Sequence, residues 1–109
     1  MIIYSYFLEC EVMVMKWNYE DERIYSINNE NVLMAEVAFA FIGDNEVDIN
    51  HTYVNPELRG QGIAGDMLKL LAEHLRQKGI KAIATCPYAN AWLKKNVAAY
   101  SDIISENLD

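Results

Sequence analysis

A glycine-rich turn between an extended segment and an amphipathic helical pattern constrains this chain more than any other stretch. The turn is Arg59-Gly60-Gln61-Gly62-Ile63-Ala64-Gly65; Val47 to Val54 reads as a strand before it, and Ile63 to Lys78 as a helix after it. Such a turn leaves the first helical N–H groups unpaired, and the helix dipole adds partial positive charge there. A helix mouth of this kind is an anion site, most often for a phosphate or diphosphate. Small residues at 60, 62, 64 and 65 let a ligand approach the backbone without meeting a large side chain.

The same helix anchors the predicted architecture. Ile63, Met67, Leu68, Leu70, Leu71 and Leu75 make its apolar side; Asp66, Lys69, Glu73, Arg76 and Gln77 make its wet side. Arg76 and Lys78 suit the C-terminal end of the dipole, and Gly79 is the expected residue just past the last turn. Ile80 to Thr85, apolar apart from Lys81 and its terminal threonine, follows a one-glycine connection. It reads as a buried parallel strand closing a right-handed βαβ unit.

Upstream, Trp17 to Ile27 predicts one or two short strands broken near Glu20-Asp21-Glu22, and Asn28 to Asn31 predicts a turn. Val32 to Ile42 is a long strand with Val37, Phe39 and Phe41 on one face, followed by a hairpin turn at Gly43-Asp44-Asn45. In the next strand, strict alternation puts Val47, Ile49, His51 and Tyr53 on one face and Asp48, Asn50 and Thr52 on the other. A bulge would shift that parity. Pro87 suits the first position of a short helix over about Tyr88 to Asn96. Ala98 to Asp109 reads as a helical turn and a frayed acidic tail.

The 109 residues fit one domain, and 52% hydrophobic residues supply a core. A net charge of −7 argues against a nucleic-acid partner, because phosphate affinity needs clustered Lys and Arg. A lysine-bearing protein or a small amine is compatible with the acidity. Two cysteines, Cys10 and Cys86, do not make a disulfide framework, and two histidines without metal-ligand spacing argue against a zinc site. The apolar run Met1 to Leu8 is broken by Ser5 and closed by Glu9, too short for a membrane span and unlike a signal peptide. The expectation is a cytoplasmic domain over residues 15–109. Residues 1–14 form an extension of doubtful status (Met13 and Met15 are alternative starts), either dispensable or an edge strand or homodimer contact.

Three features carry candidate chemistry. The glycine loop is neither a P-loop, since no Gly-Lys-Ser/Thr follows, nor the Rossmann fingerprint, since the third glycine is missing. Cys86 ends the buried strand and precedes Pro87, at or beside the first turn of the last helix, where a thiolate is stabilised. The competing reading is a small buried hydrophobe. His51 reads first as a hydrogen-bonded core residue; within reach of Cys86 it would serve as the thiol's base. Tyr88 and Trp92, four apart, would meet on one side of the short helix.

Arg59-Gly60-Gln61-Gly62-Ile63-Ala64 resembles the Arg/Gln-x-x-Gly-x-Gly/Ala signature of the GNAT superfamily of N-acetyltransferases. Together with His51-Thr52-Tyr53-Val54, Pro56-Glu57-Leu58 and Cys86-Pro87-Tyr88, it is similar to the minimal single-domain branch of that superfamily, over about Lys16 to Asp102. The resemblance implies an α/β fold: a mixed, mostly antiparallel sheet, a central βαβ unit and a short C-terminal helix. It implies acetyl-CoA as co-substrate and an amine acceptor, either a small molecule or a protein lysine. The pyrophosphate would lie on Gln61, Gly62, Ile63, Ala64 and Gly65, with Arg59 nearby. Pantetheine would lie along Tyr53 and Val54 between two splayed strands, beside Tyr88, with Cys86 near the acetyl group. The amine would attack directly, with His51 or a water as base, or after Cys86 has taken the acetyl group. The chain ends before the strands that usually complete the acceptor site, and Tyr88 or Tyr100 would have to replace the usual tyrosine acid. An acyl-CoA-binding module or sensor with little transfer is therefore the alternative function.

Overall fold

The computed structural model describes residues 15–109. The expectations for residues 1–14, Cys10 included, lie outside the described residues. Five strands form one sheet in the order β1 (Asn18–Glu20), β2 (Arg23–Ile27), β3 (Leu33–Gly43), β4 (Glu46–Val54), β5 (Lys81–Ala84). The first four pair antiparallel, and β4 pairs parallel with β5 through helix α1 (Ile63–Lys78). This is the mixed sheet with a central βαβ unit that the sequence leads one to expect.

Helix α1 begins and ends where its signals stand. Gly62 is left-handed at its N-cap (φ 78°), and Gly79 is left-handed at its C-terminus (φ 70°), where the N–H groups of Gly79 and Ile80 bond to Arg76 and Leu75 carbonyls. Ile63, Met67, Leu68, Leu71, Ala72 and Leu75 are buried against Val37, Phe39, Val47, Ile49 and Ala82 of the sheet. Leu70, assigned to the apolar side, is only half-buried, and Ala72 takes the central place. Burying each large side chain stabilises the fold by about 1.5–3 kcal/mol relative to exposure.

One irregularity reorganises β4. Ala38 pairs with His51 and Phe39 with Ile49, so Asn50 has no partner on β3 and forms a bulge. The expected common face of Val47, Ile49, His51 and Tyr53 is therefore wrong beyond Ile49. Thr52, opposite buried Val37, and Val54, opposite buried Ala35, take the core side instead. His51 and Tyr53 turn to the other face, opposite Ala38 and Glu36.

The C-terminal segment also departs from expectation. Helix α2 (Pro87–Lys95) leads into the short helix α3 (Val97–Tyr100) and a 3-10 turn at Ser101–Ile103. The remaining residues are clasped rather than frayed. Ile103 is buried, Ile104 bridges to Ala82, and the Ser105 N–H bonds to the Ala82 carbonyl at 2.9 Å. The Ser105 hydroxyl and the Asn107 amide both donate to the Glu46 carboxylate.

Those two donors, Ser105 first, hold the Glu46 carboxyl below the usual range against the opposing effect of burial. A carboxyl depressed in the folded state contributes stability that is present above the ordinary value, about 4.3, and lost as pH falls through the folded value. The wild-type melting temperature should therefore fall more steeply between about pH 5 and pH 3 than that of Glu46→Gln. Parallel melting curves for the two proteins over that window would remove the clasp from the stability account.

Candidate active site

β4 and β5 part company halfway along β4. Their ladder ends at Ile49 opposite Ala84, with one further bond from the Cys86 N–H to the Ile49 carbonyl at 3.1 Å. Two features stop β5 there. The Asp48 carboxylate takes the Thr85 N–H at 2.8 Å and its hydroxyl at 2.9 Å, and Pro87 has no N–H to offer. β4 continues to Val54 with no strand on that side among the described residues.

The edge left open is polar. The Asn55 N–H points to β3, where it bonds to the Met34 carbonyl at 2.8 Å. Backbone groups alternate sides along a strand, so Val54 and Thr52 face the gap and Tyr53 faces β3. Two contacts agree. The Val54 carbonyl accepts from Arg59 Nε at 3.0 Å, and the Thr52 N–H faces the Cys86 sulfur. Val54 and Tyr53 are half-buried; Arg59, pinned by its Nε, keeps an exposed guanidinium between the gap and the glycine loop.

The loop fits an anion. A 3-10 turn at Pro56–Leu58, capped by the Asn55 side chain, delivers the chain to Gly60 (φ 84°) and Gly62 (φ 78°). The first intrahelical bond is donated by Asp66 to the Gly62 carbonyl at 3.1 Å. Among the described residues no side chain caps the helix, which leaves the N–H groups of Ile63, Ala64 and Gly65 available. A Cβ at Gly60 or Gly62 would meet nothing within 4 Å, so the mouth is open rather than plugged. Gln61 is exposed beside it. Gly65 is different: a Cβ there would lie 3.6 Å from Trp92 Nε1, so α2 packs close against this end of α1.

Cys86 lies at the inner end of the gap, buried, as the N-cap of α2. Its sulfur lies 3.5 Å from Thr52 Oγ1. Burial pushes the thiol up, but hydrogen bonding from the Thr52 hydroxyl and from the amides of Ala89, Tyr88 and Thr52 outweighs it. The net direction is down, toward the thiolate. The Tyr88 ring itself is exposed.

His51 is not beside the thiol. It is exposed on the opposite face, 3.6 Å from Glu36, whose other oxygen holds Arg23 at 2.7 Å. Tyr100 stacks on Trp92 with ring centroids 5.2 Å apart and lies under the Arg76 guanidinium, in the packing of α3. Sequence reasoning missed Thr52, Asp48 and Trp92. Thr52 lies beyond a bulge that no Gly or Pro announces, and the role of Asp48 is a contact with Thr85, 37 residues away. Trp92 read as core, and its nearness to Gly65 is a contact between elements. Among the described residues no three His, Cys, Asp or Glu side chains gather as metal ligands, and no helix is long and apolar enough to cross a membrane.

Comparison with known proteins agrees with this arrangement. Residues 24–103 match the GCN5-related N-acetyl-transferase family. A GCN5-like protein of Staphylococcus aureus, solved by NMR, is 34% identical. The match covers 84% of this chain and 88% of that one, with a TM-score of 0.71. Protein NATD1 of Xenopus tropicalis and of Homo sapiens are each 32% identical over 62 residues, 57% of this chain. The match spans only 57% and 55% of those two relatives. With the family matched over most of the chain and the sheet, helix mouth and parted strands in place, this protein belongs to the GCN5-related N-acetyltransferases.

Proposed function

We propose that this protein transfers an acetyl group from acetyl-CoA to an aliphatic amine by way of Cys86. The observation that carries the reading is the open edge of β4, which runs from the uncapped helix mouth at one end to a buried, thiolate-favouring cysteine at the other. In this reading the amides of Ile63, Ala64 and Gly65 and the Arg59 guanidinium hold the diphosphate. The gap-facing backbone of Thr52 and Val54 pairs with the amides of the pantetheine arm, as a strand would.

The Cys86 thiolate then attacks the thioester carbonyl carbon. A bond forms between that carbon and Sγ, the bond to the coenzyme sulfur breaks, and the coenzyme leaves as its thiolate. The acceptor nitrogen next attacks acetyl-Cys86; the new C–N bond replaces the C–Sγ bond, and Cys86 is released as the thiolate. A cationic acceptor first gives one proton to solvent; the second, released as the neutral nitrogen attacks, passes through a water to His51, which is exposed on the opposite face from the thiol. Acidic side chains on that face, Glu36 and Asp48, suit a cationic amine, small molecule or protein lysine.

Replacing Gly62 tests the mouth. Gly62→Leu places a side chain in the open space at a left-handed position, a backbone cost of roughly 1–2 kcal/mol. Coenzyme A affinity measured by titration calorimetry should drop at least about tenfold, or 1.4 kcal/mol. Undiminished affinity in a folded Gly62→Leu protein would falsify this placement.

The covalent route has its own test. Wild-type protein mixed with acetyl-CoA and no acceptor should carry one acetyl group on the Cys86 peptide by mass spectrometry, and Cys86→Ala should carry none. Full steady-state transfer by Cys86→Ala would exclude the route and leave direct attack. Coenzyme binding with no transfer to any amine in a broad screen would favour an acyl-CoA-binding module instead.

His51→Ala should leave acetyl-Cys86 formation intact while slowing amine turnover by about a hundredfold or more, the usual worth of a positioned base. Equal slowing of both steps would move His51 out of the acceptor half of the reaction.

A further inference from the structure

We infer that Thr52 is the positioning residue for the Cys86 sulfur: its hydroxyl fixes where the sulfur points and donates to it once the proton has left. This rests on the reading of Cys86 as the nucleophile, but the contact is independent of any bound co-substrate. Thr52 Oγ1 lies 3.5 Å from Sγ, within hydrogen-bonding range for sulfur. Thr52 faces the gap only because Asn50 bulges out of β4; without the bulge His51 would occupy the core side. The bulge thus exchanges a histidine for a hydroxyl beside the thiol.

Other side chains around the gap cannot take this place. Val54, the next core-side residue, is apolar. Asp48 is committed to both the N–H and the hydroxyl of Thr85, and His51 is held by Glu36 on the far face. The remaining donors to the sulfur are backbone amides: those of Tyr88 and Ala89 in the first turn of α2, and that of Thr52 itself. One residue therefore supplies two of the donors, from the strand opposite the helix that supplies the others. Between strand and helix the sulfur is gripped from two sides.

The hydroxyl does something an amide cannot. While Cys86 is a thiol, its S–H can donate to Oγ1. When that proton leaves for solvent, the threonine O–H rotates and donates to the thiolate, keeping the pair bonded in both states. Thr52 is β-branched and lies opposite Val37 in the β3–β4 ladder, so the swing of Oγ1 is limited to staggered wells on a backbone fixed by the sheet. Loss of the hydroxyl leaves the buried thiolate with amides only and raises the cost of forming it.

The test compares Thr52→Val, which keeps the shape and loses the hydroxyl, with Thr52→Ser, which keeps the hydroxyl. Ligand-free protein is alkylated with iodoacetamide across pH, and the Cys86 peptide is quantified by mass spectrometry, so Cys10 does not interfere. The midpoint of the rate profile reports titration of the thiol; the plateau reports access. Thr52→Val should move the midpoint up by on the order of one pH unit, the size expected for losing a hydrogen bond to a charged group. Thr52→Ser should restore it to within a few tenths of a unit. A midpoint unmoved in Thr52→Val, or moved equally in Thr52→Ser, overturns the inference. Thr52→Ala, read against Thr52→Ser, gives the same comparison if the valine protein does not fold. Acetyl-Cys86 formation measured on the same variants separates the two claims. A shifted alkylation profile with no acetyl transfer in wild type would sink the transferase reading and leave the positioning role standing.

Discussion

The site depends on the separation of β4 from β5 just after Ile49 and Ala84. Sheets normally satisfy every interior backbone group, and an unpaired edge inside a domain is costly. Here the edge is created deliberately by local chemistry. Asp48 withdraws the Thr85 N–H and hydroxyl from the ladder, Pro87 removes the next donor, and the Cys86 N–H makes the last bond to β4. β5 must turn into α2 at that point, while β4 runs on alone. Arg59 takes the Val54 carbonyl and the Cys86 sulfur the Thr52 N–H, which leaves the Thr52 carbonyl and the Val54 N–H facing the gap; one acceptor and one donor at strand spacing match the chemistry of a polyamide arm.

The same geometry resolves an apparent conflict in the electrostatics. A chain of net charge −7 is an unpromising host for a diphosphate. Its affinity does not have to come from lysines. The N-terminus of α1 opens at the glycine loop, and the amides of Ile63 to Gly65 supply fixed partial positive charge at close range. Distant surface carboxylates are screened over roughly 10 Å in ordinary salt, so the local field of the amides prevails. In the proposed reading Arg59 adds a full positive charge, and its bond to the Val54 carbonyl holds it beside the gap.

Much of this could be read from the chain because the signals were local. The bounds of α1 follow from apolar spacing and two glycines, the break between β1 and β2 from three consecutive acids, and the start of α2 from Pro87. The open helix mouth and the cap position of Cys86 follow from the same cues. What stayed hidden was pairwise. The bulge at Asn50 arises from how β3 and β4 register, and no residue in β4 marks it, so His51 and Thr52 were assigned to the wrong faces. The clasped tail was equally invisible. Ser105 is separated from Glu46 by most of the domain, and only their meeting shows that the tail is held.

The tail in turn bears on the mouth. Arg76, near the end of α1, holds Asp102 through Nε at 2.6 Å and Nη2 at 2.9 Å, and bonds the Ala99 carbonyl at 3.0 Å. That pair holds Asp102 below the usual carboxylate range and Arg76 above its ordinary value. The same guanidinium covers Tyr100, Tyr100 stacks on Trp92, and Trp92 sits against Gly65 in the first turn of α1. A continuous set of contacts therefore runs from the C-terminal end of α1, through α3 and α2, back to its N-terminal end. Because the Arg76 pairs are exposed, each is worth little alone. Their effect is geometric: they fix how closely α2 approaches the mouth, and hence how far the sulfur at the head of α2 stands from the amides at the head of α1. At Gly65 that approach is an ordinary contact: a Cβ would lie 3.6 Å from Trp92 Nε1, close enough to touch the indole without displacing it.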